Sequence, residues 1–217
     1  MHFPSMRDNL QVFPSHKIMG VITTCLLFFI APSFSQITTL PNGNAQQLVE
    51  SIMGKGYTVT NPKLTCPTNA SGTFISTTSN IGLGQGIVLT TGSIDNVKGP
   101  NDNPSAATEN GGPGDTQLDA LVGVKTMDAC VLEFDLVPSC DELTINYVFA
   151  SEEYPLFVGT PYNDLFGFFI SGPGITGTVN IATVPSTTTP VAINNVNGTT
   201  NSQYFVNNDN GQTIQYN

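Results

Sequence analysis

Histidine and tryptophan are the conspicuous gaps in this 217-residue sequence: tryptophan is absent, and the only histidines are His2 and His16, both near the N-terminus. If that first segment is a removed leader, the mature chain has no histidine. Ser-His and Cys-His nucleophilic triads are then excluded from it, and no Cys/His spacing suggests zinc. Charge is scarce as well: 10% of residues carry one, with 6 Lys and Arg against 16 Asp and Glu, for a net charge of -10. Nucleic acids and anionic membranes both require clustered Lys and Arg, so neither class of partner fits. Serine-lysine chemistry still has Lys55, Lys63, Lys98 and Lys125 to draw on, but none stands in a recognised motif. No segment reaches the roughly 18 consecutive apolar residues of a confident membrane span.

The N-terminus points to export. Arg7, His16 and Lys17 precede the apolar run Ile18-Met-Gly-Val-Ile-Thr-Thr-Cys-Leu-Leu-Phe-Phe-Ile-Ala31, and Ser33 and Ser35 supply small residues at the -3 and -1 positions. That is a basic n-region, a short h-region and a cleavage site before Gln36, so residues 1–35 read as a signal peptide. An uncleaved anchor is the weaker alternative, and a start at Met19 would leave the n-region without Lys or Arg. The mature chain is expected to be secreted or held on the outer cell surface, with no membrane span of its own. Cleavage removes Cys25 and leaves Cys66, Cys130 and Cys140. An exported protein can keep a disulfide, and three thiols allow three single pairings; Cys66 with Cys140 and Cys130 with Cys140 carry equal weight.

What the chain has in quantity is Gly, Pro, Asn, Ser and Thr, which punctuate many short strand-like runs. These fall at 57–60, 72–77, 86–91, 130–137, 143–151, 165–171, 178–184 and 203–206. One helix is evident, Asn44-Ala-Gln-Gln-Leu-Val-Glu-Ser-Ile-Met53, with Asn44 as N-cap, Leu48, Val49, Ile52 and Met53 on one face and Gly54 as its stop. Leu132, Phe134 and Leu136 alternate with Glu133 and Asp135, and Leu143, Ile145, Tyr147 and Phe149 alternate with Thr144 and Asn146. Those two runs are expected to be antiparallel neighbours. The fold class is mainly β: an antiparallel sandwich or jelly-roll-like domain over 36–217 with one short N-terminal helix and long loops. The loop 95–115 is long enough for function or mobility.

The polar stretch Ala150-Ser-Glu-Glu-Tyr-Pro155 and the pair Asn163-Asp164 are the places to look for chemistry. Adjacent Glu152 and Glu153 point to opposite sides of a strand and cannot both serve one bond as acid and base. A hydrolase would need Asp164 or Asp115 as the second carboxylate. Calcium is the sharper idea, since it takes six to eight oxygen ligands from loops rich in Asp, Asn and Gly. The candidate ligands are Asp115, Asp119, Glu152, Glu153, Asn163 and Asp164, although no segment has EF-hand spacing. The structural alternative carries more weight: Asp115 as a helix N-cap, Asn163-Asp164 as an Asx turn, and Glu152 or Glu153 bonded to loop backbone. Asn69-Ala-Ser71 and Asn197-Gly-Thr199 fit the N-glycosylation sequon.

Several motifs together resemble a known family. Asn80-Ile-Gly-Leu83, Gly86-Ile-Val-Leu-Thr-Thr-Gly92, Asn110-Gly-Gly-Pro-Gly-Asp115, Val131-Leu-Glu-Phe-Asp135, Asn146-Tyr-Val-Phe-Ala-Ser-Glu-Glu-Tyr-Pro155 and Asn163-Asp-Leu-Phe-Gly-Phe-Phe-Ile-Ser-Gly-Pro-Gly174 look like the choice-of-anchor L domain of bacterial surface and secreted proteins. The resemblance runs in order from about Ala45 to the C-terminus. It implies an exported protein, often from gliding Bacteroidota with type IX secretion tails, and carries over no enzymatic activity, ligand or functional residue. It also implies further strands after Tyr216, so the chain is read as an N-terminal fragment. The expected function is a non-catalytic secreted or surface module for adhesion, matrix or glycan contact, its loops reinforced by Ca2+. The alternative is a secreted hydrolase, or its accessory domain, using acidic residues near 152–164.

Overall fold

A computed structural model describes residues 37–208, apart from 55, 78, 80, 100–102, 104 and 140. The leader expected over 1–35 lies outside the described residues, as does Cys140. The chain is mainly antiparallel β, as its alternation and turn residues imply, and among the described residues its strands are shared among one three-stranded and three two-stranded sheets. Strand β1 (Ile37–Pro41) pairs with β3 (Ser71–Ser76), which pairs in turn with β4 (Gln85–Leu89). Ile37 and Phe74 form the buried centre of this sheet, covered by Ile81, Leu83, Val88 and Val97.

Helix α1 (Ala45–Ile52) forms where the sequence places it. The Asn44 side chain accepts the Gln47 N–H at 3.0 Å, and the Met53 N–H closes the last turn on the Val49 carbonyl at 3.1 Å. An isolated helix this short is marginal in water, so packing holds it. Leu48 and Val49 are fully buried, each contributing roughly 1.5–3 kcal/mol, against β4 and the following strand β2 (Tyr57–Thr65). Ile52, expected on the same buried face, stays 43% exposed at the helix end.

Strand β2 pairs with β5 (Val131–Pro138) from Tyr57 opposite Pro138 to Thr65 opposite Val131. The strand-like run expected here ends at residue 60. Instead the ladder shifts register between Thr60 and Lys63: Asn61 takes a left-handed φ of 54°, Pro62 has no N–H to contribute, and pairing resumes at Lys63. Asn61 Nδ2 donates to Asp135 at 2.6 Å, and Lys63 forms an exposed ion pair with Glu133 at 3.0 Å.

The end of this ladder decides the disulfide. Thr65 and Val131 are register partners, so the next residue on one side and the preceding one on the other, Cys66 and Cys130, face each other, and their sulfurs are bonded. Neither pairing weighted from the sequence forms here. The expected neighbour of β5 is corrected as well: among the described residues its ladder partner is β2, not 143–151. That second run makes no strand ladder among the described residues.

Further along, the strand expected over 165–171 is split. β6 (Leu165–Phe166) and β7 (Phe169–Ile170) pair with different partners, β7 with β8 (Val179–Asn180) and β6 with β9 (Val191–Ala192). At the break the Phe168 N–H bonds the Asn180 side chain at 2.9 Å. A Cβ at Gly167 would overlap Phe169 and Leu118, so the close approach requires glycine. The expected strand over 178–184 shortens to β8 and a bridge between Thr183 and Pro190. Over 203–206 a 3-10 turn (Ser202–Tyr204) replaces the expected strand, entered through Asn201 at φ 50°.

The 95–115 loop is tied down at its described residues. Asn96 Nδ2 donates to the Ala106 carbonyl at 2.9 Å, Asn110 Nδ2 to the Thr91 carbonyl at 2.8 Å, and Asp128 accepts the N–H groups of Asn110 and Gly112. Because the disulfide closes a loop of 64 residues, reduction is expected to lower stability by about 4 kcal/mol on the chain-entropy scale. Urea midpoints measured with and without reductant check this, and Cys66→Ser should reproduce the shift; an unchanged midpoint would contradict a closed Cys66–Cys130 bridge.

Candidate functional site

The six acidic and amide residues singled out from the sequence go to two different tasks. Asp115 and Asp119 belong to helix α2 (Thr116–Val122) and the turn after it. Asp115 is the N-cap, its Oδ1 accepting the N–H groups of Gln117 at 2.8 Å and Leu118 at 3.1 Å. Its own N–H donates to the Thr126 hydroxyl oxygen at 3.0 Å, and a Cβ on the preceding Gly114 would overlap Thr126. Asp119 Oδ1 accepts the Thr126 N–H at 2.6 Å and its hydroxyl at 2.7 Å. These Thr126 bonds, helped by Lys125 at 3.4 Å, hold the Asp119 carboxyl below the usual carboxylate range. The capping role expected of Asp115 is the one it has.

Glu152, Glu153 and Asp164 come together in the loop linking 143–150 to β6. Asp164 Oδ2 accepts the Ser151 hydroxyl at 2.9 Å, and Ser151 Oγ in turn accepts the Glu153 N–H at 3.2 Å. Ser151 is 2% exposed and Asp164 half-buried, so this bond is partly shielded from water. The Asp164 carbonyl accepts the Ile193 N–H at 3.1 Å, and Asn163 Oδ1 accepts the Asn194 N–H at 3.0 Å. Asn163 therefore ties its loop to the segment after β9 and makes no Asx turn. Asn194 returns the contact, accepting the Gly159 N–H at 2.6 Å and donating to the Thr160 carbonyl at 3.2 Å.

Burial raises the Asp164 pKa, and the Ser151 hydroxyl holds it back in part. Glu152 is raised by burial and then by the Asp164 charge. Glu153 is raised from 4.5 to about 7 by burial first, then by the charges of Asp164 and Glu152. Its Oε2 is buried without a hydrogen-bond partner among the described residues. Beside it Tyr154, 3% exposed, donates its hydroxyl to the Val196 carbonyl and stacks at 5.1 Å on Phe205; its pKa is also pushed up by burial. Leu156 and Tyr162 stand out at the loop surface, 63% and 64% exposed, with Tyr162 edge-on to Phe157. Among the described residues no group of three or more His, Cys, Asp or Glu is arranged to hold a metal ion.

Some of the residues that hold this region together carried no catalytic or metal-binding signal in the sequence. Asn197, noted as a sequon, is 2% exposed: its Nδ2 donates to the Ile193 carbonyl, while its Oδ1 accepts the Thr199 N–H, the Thr199 hydroxyl and the Thr200 N–H, all at 2.9–3.0 Å. Its neighbours Asn194, Asn195 and Asn201 also bond backbone. The density of Asn in 194–201 was the available clue, since such a run supplies both donors and acceptors to irregular backbone.

A family model described as Choice-of-anchor L domain matches residues 36–217. The chain belongs to this family. The loop ends Ser151-Glu-Glu-Tyr-Pro155 and Asn163-Asp164 lie within the matched residues. A choice-of-anchor L domain is a secreted or cell-surface module, and among the described residues no helix is long and apolar enough to cross a membrane. No curated protein and no solved structure matches the chain.

Two outcomes follow from this geometry. A carboxyl whose folded pKa is raised stabilises fully below its unfolded value and loses that contribution as pH rises through its folded value. Wild type should therefore lose stability relative to Glu153→Gln between about pH 4.5 and above 7, followed as melting temperature against pH for both proteins. Parallel curves would mean that Glu153 is solvated. Asn197→Ala strands a buried carbonyl and two backbone N–H groups, so a loss of about 3 kcal/mol is expected from urea unfolding.

Proposed function

We propose that this domain is a non-catalytic module of the cell surface or secreted fraction that contacts a glycan, matrix or protein surface. One observation carries the reading: of the two carboxylates an acid-base pair here would draw on, Asp164 is half-buried and already engaged by Ser151, and Asp115 caps α2. Leu156 and Tyr162 are the exposed groups that the fastened loop presents for contact. An aromatic ring set beside amide and carboxylate groups suits a sugar's apolar face and hydroxyls, or an ordinary protein surface.

The hydrolase reading keeps one supporting fact, a Glu153 carboxyl half-protonated near neutral pH beside Asp164, which is what a general acid requires. The two separate on assay. Binding to immobilised polysaccharides and to extracellular matrix protein should fall about tenfold or more in Tyr162→Ala and survive in folded Glu153→Gln, with no release of reducing sugar by either protein. Turnover in wild type that is lost in folded Glu153→Gln would replace the proposal with the hydrolase.

Calcium enters this reading as a loop reinforcement only. The partnerless Glu153 Oε2 near two further carboxyls is in its favour, and the separation of Asp115 and Asp119 into their own hydrogen bonds counts against the full ligand set. A ligand that binds only the folded state raises its melting temperature. Millimolar Ca2+ should raise it against chelator, and Glu153→Gln should abolish the rise; no shift removes calcium from the proposal.

A further inference from the structure

Lys125 is the last basic residue of the sequence. Residues 126–217 hold nine Asp and Glu and no Lys, Arg or His, whereas residues 36–125 hold six Asp and Glu and four Lys, so nearly all of the net charge of -10 falls in the second half. Within that half the 151–164 loop gathers three carboxyls, and the charges that act on Glu153 are the negative ones of Asp164 and Glu152. The same loop holds two large apolar side chains out in water. Leu156 is 63% and Tyr162 64% exposed; one such residue alone is ordinary, but two on a short loop make a patch. Phe157, next to Leu156, links them, its ring centre 5.5 Å from that of Tyr162. The patch is held in shape. The Phe157 N–H bonds the Glu153 carbonyl at 3.0 Å, the Thr160 N–H the Phe157 carbonyl at 3.1 Å, and the Tyr162 N–H the Thr160 hydroxyl at 3.2 Å. Side chains on an ordered loop lose little freedom on binding, which suits them to the centre of a contact.

We propose that the 151–164 loop docks a protein segment that presents Lys or Arg beside an apolar side chain. The inference rests on the contact function proposed above and names the chemistry of its partner. The apolar part of such a segment covers Leu156 and Tyr162, while its cations lie over the Tyr162 ring and meet the Glu152 carboxylate. The excess negative charge of the second half draws a basic partner in and turns acidic ones away. A neutral glycan would satisfy the ring but gain nothing from that field, and an anionic glycan would be repelled by it.

Selection of a displayed library of random peptides on the full chain at low salt tests this. The recovered peptides should be enriched in Lys and Arg over Asp and Glu, next to aliphatic or aromatic residues. The affinity of one such peptide should fall about tenfold between about 0.1 M and about 1 M NaCl, as the Debye length shortens from about 10 Å to about 3 Å. It should fall about tenfold in Tyr162→Ala, and about threefold in folded Glu152→Gln with a shallower dependence on salt. If Tyr162→Ala does not fold, Leu156→Ser serves instead, since that side chain is already in water. Peptides without basic enrichment that still need Tyr162 would overturn the cationic partner and leave the contact function standing. Basic peptides that bind both variants undiminished would overturn the loop as the docking face, and the contact function there with it. Recovery of no peptide would overturn the proposal as well; retention on a neutral polysaccharide that is lost in Tyr162→Ala would then assign the loop to a glycan.

Discussion

The bond between Ser151 and Asp164 is the fastening on which the second half of this domain depends. From Asp164 the side chain holds the loop after 143–150, the backbone carbonyl holds the segment after β9, and the charge perturbs Glu152, Glu153 and Tyr154. The strands in this half are two residues long, too short to fix their own relative positions. Side-chain acceptors such as Asp164, Asn163, Asn194 and Asn197 do that work, converting irregular backbone into ordered structure without a long ladder. The first half relies on different means, a three-stranded sheet around Ile37 and Phe74 and the bridged β2–β5 ladder.

This division explains the composition. Few charges, no tryptophan and many Asn, Ser, Thr and Gly residues suit a domain whose loops are secured by short polar side chains. Such fastenings must be buried to be worth much, and Ser151 and Asn197 are both 2% exposed. Burial in turn raises the carboxyl pKa values of the 151–164 loop, so a stable loop and an abnormal titration are two effects of one cause. A raised pKa here therefore needs no catalytic explanation.

What could be read from the sequence was the local part. Helix α1 and its Asn44 cap, the Asp115 cap, β3, β4 and β5, and the alternating faces of β5 all follow from spacing and side-chain chemistry within a few residues. The errors share a physical origin: alternation states which side chains share a face but not which backbone lies alongside. Residues 143–151 therefore looked like the partner of β5, and the cysteine pairing could not be fixed without knowing that β2 lies there instead. The first strand-like run was read only as far as residue 60, because a bulge at Asn61-Pro62 is visible only once the opposite strand is known. The polar residues were legible as a group at 152–164, whereas the link of Asp164 to Ser151 and that of Asn163 to Asn194 depend on contacts 13 and 31 residues apart.

The account turns on a half-buried Asp164 held by Ser151, and carbon-detected NMR titration of the side-chain carboxyls tests it most directly. Asp164 should titrate above the ordinary aspartate range near 3.8, and Ser151→Ala should raise it further by removing the bond that favours its charge. An Asp164 with an ordinary pKa that does not respond to Ser151→Ala would contradict the account.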